Sequence, residues 1–158
     1  MKNLWAPWRM DFIRSPKTDG CFMCDAIAGS DDRDTLLLHR APIGVVIMNR
    51  YPYTNGHLLV APRRHVADLR SLTDDERLEL MKLTDDSVRA LGAVARPEGY
   101  NIGINLGRVA GAGLESHLHI HIVPRWNGDT NFMPVFGEVR VIPQALEELY
   151  DQLKPQFG

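Results

Sequence analysis

Apolar side chains recur along the chain with two different periods, and the switches between them outline its elements. Residues 44–48 (GVVIM) and 57–60 (HLLV) are β-rich apolar runs, and residues 49–56 (NRYPYTNG) between them collect turn-forming Asn, Pro and Gly. The two runs are therefore expected to form a hairpin. Thr73 with Glu76 three positions later is a capping box, after which Leu80, Leu83, Ser87, Leu91 and Val94 follow at helical spacing until Pro97. That spacing predicts a long amphipathic helix with one core-facing stripe. Beyond it lie a short strand candidate at 100–105, a glycine-rich turn at 107–113 and a strand at 118–123. Pro143 is placed to open a last helix, on which Leu146, Leu149, Tyr150 and Leu153 form one stripe.

The order strand, strand, helix, strand, strand, helix, without an internal repeat, fits a single α+β domain with a mostly antiparallel sheet over residues 1–158. Residues 1–16 read as an apolar arm preceding a core of 17–158. The stretch LWAPWRMDFI at 4–13 sets two Trp and a Phe around Pro7 and Arg9, which is too apolar for a free tail. The arm is expected to dock on its own domain, on a partner subunit or along a substrate pocket.

Composition narrows the function classes. The 158 residues are 44% hydrophobic and 24% charged, the balance of one compact core. A formal charge of -2 argues against an extended grip on a nucleic-acid polymer, and leaves a small anionic ligand as the better match. The longest aliphatic stretches, such as residues 45–48, fall far short of a membrane span, and the first residues carry no apolar leader. A cytoplasmic protein without membrane contact is expected. Its two cysteines, Cys21 and Cys24, are too close to staple a fold and are spaced as metal ligands or a redox pair.

The segment His117-Leu118-His119-Ile120-His121-Ile122-Val123-Pro124 holds three of the chain's six histidines, alternating with aliphatics. In a strand, positions i, i+2 and i+4 share a face, about 7 Å apart. The three imidazoles are therefore expected on one surface, with Leu118, Ile120 and Ile122 in the core fixing the register. A neutral imidazole whose inner N–H is bonded to a carbonyl presents its outer lone pair as a nucleophile, and a neighbouring imidazole can donate to a phosphate oxygen as charge develops. The same row can also ligate zinc. A nucleotide enzyme, a catalytic metal enzyme and a non-catalytic nucleotide-binding module thus remain open.

HLHIHIV resembles the His-x-His-x-His-x-x signature of the histidine-triad (HIT) family of nucleotide hydrolases and nucleotidyl transferases. The likeness runs from the LWAPWR arm through NRYPYTNGHLLVAP and NLGRVAGAG to HLHIHIVPRWNGDTNF. The arm and the last segment look most like the branch containing diadenosine tetraphosphate phosphorylases and hydrolases. The resemblance implies a HIT fold, a homodimer and cleavage of the α-phosphate linkage of a dinucleoside polyphosphate through a nucleotidyl-histidine. Phosphoramidase activity, or a non-catalytic nucleotide-binding zinc protein, is the alternative.

On that likeness His119 is the nucleophile, His121 contacts the α-phosphate, and Asn105 lies near the phosphate or leaving group. Asn49 matches a ribose-binding position and His57 a residue near the nucleoside. Gly111, Ala112 and Gly113 are small enough for backbone N–H groups to cradle phosphate, although the family's Gln and Ser or Thr are replaced in this stretch. Trp126 is placed to stack on a base or to cap the core. Some bacterial members complete a structural zinc site from the two cysteines with residues matching His65 and His117. Magnesium is expected only as a companion of the polyphosphate.

Overall fold

The computed structural model describes residues 20–129 and 144–158. The arm at 1–16 and Pro143 lie outside the described residues. Elements run α1 (Phe22–Ala28), β1 (Leu37–Arg40), β2 (Gly44–Met48), β3 (Leu58–Pro62), α2 (Asp74–Ala95), β4 (Gly99–Ile104), β5 (Ile120–Arg125) and α3 (Leu146–Leu153). The five strands form one antiparallel sheet in the order β1-β2-β3-β5-β4.

The expected hairpin is β2 and β3, paired from Gly44 opposite Pro62 to Met48 opposite Leu58. Its alternating side chains feed two cores, because neighbours in a strand point to opposite faces. Val46, Met48, Leu58 and Val60 join Leu80, Leu83, Leu91, Leu149 and Leu153 beneath α2 and α3. Val45, Ile47, Leu59 and Ala61 join Met23 and Ala26 beneath α1. Leu118, Ile120 and Ile122 lie in the first of these cores, as their alternation predicted.

Two elements were not anticipated. Helix α1 has only seven residues, and its carbonyl end is held from outside: the Arg40 guanidinium donates to the carbonyls of Ala26, Ile27 and Gly29 and pairs with Asp32. Strand β1 has four residues and a bulge, too short for period two to stand out.

Helix α2 begins on the predicted capping box. Thr73 Oγ1 accepts from the Glu76 N–H, and the Glu76 carboxylate accepts from the Thr73 N–H at 2.8 Å. Arg64 also donates twice to Glu76, which ties the helix start to the segment after β3. Those bonds, with the Thr73 N–H, outweigh burial and hold the Glu76 carboxyl down to about 2. The helix ends at Arg96, which adopts a left-handed φ of 47° just before Pro97.

Where α2 crosses the hairpin, the sheet has no room for a side chain. A Cβ at Gly44 would lie 2.5 Å from Leu83 Cδ1 and 3.3 Å from the Ala61 carbonyl oxygen. Gly44→Ala is therefore expected to lose about 1–3 kcal/mol in urea unfolding, because the buried Leu83 side chain must leave its place in the core. Glu76→Gln is expected to cost about 1 kcal/mol at neutral pH, because Arg64 is half exposed and its pairing is screened. The folded value of Glu76 lies below its ordinary 4.5, so its charge stabilises the fold above that pH and the benefit is lost on acidification. Unfolding curves of the two proteins should converge as pH falls from 4.5 towards about 2.

Candidate active site and metal-ligand cluster

The ladder of β5 starts at Ile120, two residues later than the sequence pattern suggests, so His117 and His119 precede it and only His121 lies within it. The alternation nevertheless continues upstream, held by the Leu118 N–H donating to the Val66 carbonyl at 2.6 Å. The row consequently does not present three equivalent imidazoles. His117 is fully buried, with Nε2 2.8 Å from the Pro62 carbonyl and Nδ1 3.2 Å from Cys21 Sγ. It faces a cysteine cluster, while His119 and His121 stand together with ring centres 4.7 Å apart.

His119 is anchored by its own backbone neighbourhood. Its Nδ1 lies 2.8 Å from the His117 carbonyl, which can only accept, so Nδ1 carries the proton and Nε2 keeps its lone pair. Burial pushes the His119 value down, and the bond to the His117 carbonyl pushes it back only in part. The ring is therefore a neutral imidazole with one directed lone pair.

His121 is polarised from the other side. His121 pairs with Leu59 of β3, whose next neighbour in the chain beyond Leu58 is His57, and His57 Nε2 lies 3.0 Å from His121 Nδ1. The backbone N–H of Tyr53 donates to His57 Nδ1 at 3.1 Å, and the Asn49 amide approaches the same nitrogen at 3.2 Å. A backbone N–H has only one direction, so His57 must carry its proton on Nε2 and pass it towards His121 Nδ1. His121 is thereby left with an N–H at Nε2; the Asn105 side-chain amide lies 3.4 Å away and accepts from that N–H only when its oxygen, rather than its NH2, is turned to the ring. Burial, and then the neighbouring imidazoles, lower His57 to about 3 and His121 to about 4, which keeps both neutral at physiological pH.

The turn that delivers His57 depends on one glycine. Gly56 has φ +79°, and a Cβ there would meet Leu91 Cδ2 at 2.9 Å. Tyr53 stacks on His57 with centroids 4.7 Å apart and reaches His121 at 6.0 Å. Its part in the site had no signal in the sequence beyond its place among the turn residues.

Other candidates are distributed unevenly. Asn49, His57, Asn105, His119 and His121 come together in one linked set. Asn49 spends its amide on this set, with Oδ1 accepting from the Tyr51 N–H. Gly111, Ala112 and Gly113 follow Asn105 in the β4–β5 connection, the glycines exposed and Ala112 buried, where Gly107 and Gly111 adopt positive φ around a single tight turn at Arg108–Ala110. Trp126 is not brought to the imidazoles: it follows β5, and its indole N–H donates to the Ala95 carbonyl at the end of α2.

Cys21, Cys24, His65 and His117 form a second centre, their candidate ligand atoms all within 4.8 Å of one another. Cys24 Sγ is 3.2 Å from His65 Nδ1 and 3.5 Å from His117 Nδ1. Two thiolates and two imidazoles at such spacing suit a tetrahedral metal ion. His117 supports the fit independently, since the proton that Pro62 requires on Nε2 leaves Nδ1 free to coordinate. Burial, and then Cys21, push the Cys24 thiol up to about 11. Among the described residues this is the one such cluster, and no carboxylate cage for magnesium accompanies it. No described helix is long and apolar enough to cross a membrane.

Comparison with known proteins identifies the family. A family model described as "HIT domain" fits residues 32–128. The AP-4-A phosphorylase of Mycobacterium tuberculosis (strain ATCC 25618 / H37Rv) is 40% identical over 156 residues, covering 94% of this chain and 80% of the relative. The adenosine 5'-monophosphoramidase hnt1 of Schizosaccharomyces pombe is 26% identical over 137 residues, covering 87% of this chain and 98% of the relative. Among solved structures, a Zn-bound histidine triad family protein from Mycobacterium smegmatis superposes with a TM-score of 0.71 at 26% identity, covering 87% of this chain and 93% of that one. The sheet, the paired imidazoles and these matches together place the chain in the histidine-triad family.

Proposed function

We propose that this chain is a dinucleoside polyphosphate phosphorylase acting on substrates such as diadenosine tetraphosphate. The observation that carries the reading is the His119 ring, neutral and pinned by its Nδ1–H to the His117 carbonyl, with its centre 4.7 Å from that of the His121 ring. The 40% identical relative named AP-4-A phosphorylase supports the choice of substrate and acceptor.

In the first step, the Nε2 lone pair of His119 forms a bond to the α-phosphorus, and the bond from that phosphorus to the bridging oxygen breaks. ATP leaves with the electron pair. The nucleotidylated ring is cationic, and its Nδ1–H points at the His117 carbonyl, which stabilises that charge as it forms. The Nε2–H of His121 donates to a non-bridging oxygen of the same phosphate, its direction set by the Tyr53 N–H and His57. In the second step, an orthophosphate oxygen attacks the phosphorus, the N–P bond breaks, and ADP leaves the regenerated neutral imidazole. The Cys21, Cys24, His65 and His117 cluster would hold zinc outside the bond-making steps, and the Zn-bound solved structure supports zinc as the ion.

A second reading has one supporting match, the S. pombe phosphoramidase, and its chemistry needs the same nucleophile with an amine as the leaving group. Product analysis by mass spectrometry separates the readings. With diadenosine tetraphosphate and orthophosphate, ATP and ADP are expected in equal amounts; ATP with AMP would make water the acceptor. Turnover of adenosine phosphoramidate alone would favour the second reading.

Two further outcomes are expected. His119→Ala should abolish turnover of diadenosine tetraphosphate while circular dichroism stays unchanged, and residual activity near the wild-type level would remove the nucleophile. The rate at saturating substrate should fall as pH drops towards about 4, where His121 gains a second proton. A rate that instead follows an imidazole titrating near pH 6.5 would contradict the neutral-donor role.

A further inference from the structure

His117 belongs to both centres at once. Its ring contributes Nδ1 to the cysteine cluster, 3.2 Å from Cys21 Sγ and 3.5 Å from Cys24 Sγ, and its Nε2 lies 2.8 Å from the Pro62 carbonyl. Its own carbonyl accepts from His119 Nδ1 at 2.8 Å. The segment after β3 supplies both sides of this arrangement: Pro62 and Val66 accept from His117 and Leu118, and His65 between them reaches Cys24.

We propose that His117 is a positioning residue through which occupancy of the Cys21, Cys24, His65 and His117 cluster sets the orientation and tautomer of His119. This rests on the reading that the cluster holds zinc and that His119 is the nucleophile. A ring held at both nitrogens cannot turn about its side-chain torsions, and the backbone that carries it is held too. That backbone is the partner that keeps the His119 proton on Nδ1. With zinc removed, His65, which is exposed, loses its shared partner and moves to water, and one of the two restraints on the His117 ring disappears. The His117 carbonyl then shifts, His119 samples the tautomer with its proton on Nε2, and the lone pair no longer points at phosphorus. A displacement of about 1 Å at a reacting group is enough to cost on the order of 100-fold in rate.

The full chain and His65→Ala, which gives up the exposed ligand and keeps Cys21, Cys24 and His117, provide the test. Each is titrated with zinc at buffered free concentrations, with bound zinc measured by elemental mass spectrometry and folding followed by far-ultraviolet circular dichroism. Long-range proton–nitrogen NMR correlations report the His119 tautomer directly, and AMP binding and turnover are measured in parallel. The expected result is a single Nδ1–H tautomer at full zinc, giving way to a mixture as zinc is withdrawn. In step with it, kcat should fall ten- to a hundred-fold while AMP affinity changes less than threefold, with the fold intact. His65→Ala should reproduce the transition at a higher free zinc concentration.

An unchanged His119 tautomer and kcat in folded, zinc-free protein would overturn the proposal. Unfolding of both proteins on zinc removal would also overturn it, because the metal would then hold the whole domain rather than the nucleophile. Absence of bound zinc, or full activity in His119→Ala, would instead defeat the reading on which it rests.

Discussion

One hydrogen bond organises the chemistry of this protein: the 2.8 Å contact from His119 Nδ1 to the carbonyl of His117. It decides which nitrogen of the ring keeps a lone pair, and in the proposed reaction it would aim that lone pair and offer a partial negative charge to a cationic ring. A carbonyl at position 117 exists in any sequence, so the bond depends on where the backbone runs. The rest of the structure can be understood as holding that stretch of backbone still. Leu118 and Ile120 anchor it in the core below, the Pro62–Val66 segment brackets it from the side, and the cysteine cluster grips the His117 ring.

Polarity in the site originates in groups that can act in only one direction. The Tyr53 N–H determines the proton on His57, His57 determines the proton on His121, and burial keeps both rings neutral. The His117 carbonyl does the same for His119 with opposite sense. Two adjacent imidazoles, chemically identical in the sequence, are thus differentiated into a ring with its lone pair on Nε2 and a ring with its N–H on Nε2, beside Asn105.

Much of the framework was legible in the alternation of residues. The period-two run at 118–122 located the core face of β5, the capping box located the start of α2, and the Asn, Pro and Gly cluster located the hairpin. Helix α1 and strand β1 were not legible, because seven and four residues hold too few turns or alternations to carry a period, and α1 draws its C-terminal capping from Arg40 in β1. The site was legible in its members more than in their roles. Expecting three imidazoles on one open face follows from strand geometry, but the ladder begins only at Ile120 and His117 turns into the cysteine cluster instead. His57 lies 64 positions from His121, and only the β3–β5 register brings them into contact. Trp126 lies half-buried with its indole N–H bonded to the Ala95 carbonyl at the end of α2.

The central claim is that the substrate passes through a covalent bond to one ring nitrogen. Rapid mixing with diadenosine tetraphosphate in the absence of orthophosphate, quenching in base and mapping the peptides by mass spectrometry examines it most directly. The account requires an adenylyl group on His119 that forms within a single turnover and disappears when orthophosphate is added. An adduct on His121, or complete conversion to products with no protein-bound nucleotide at any time, would contradict it.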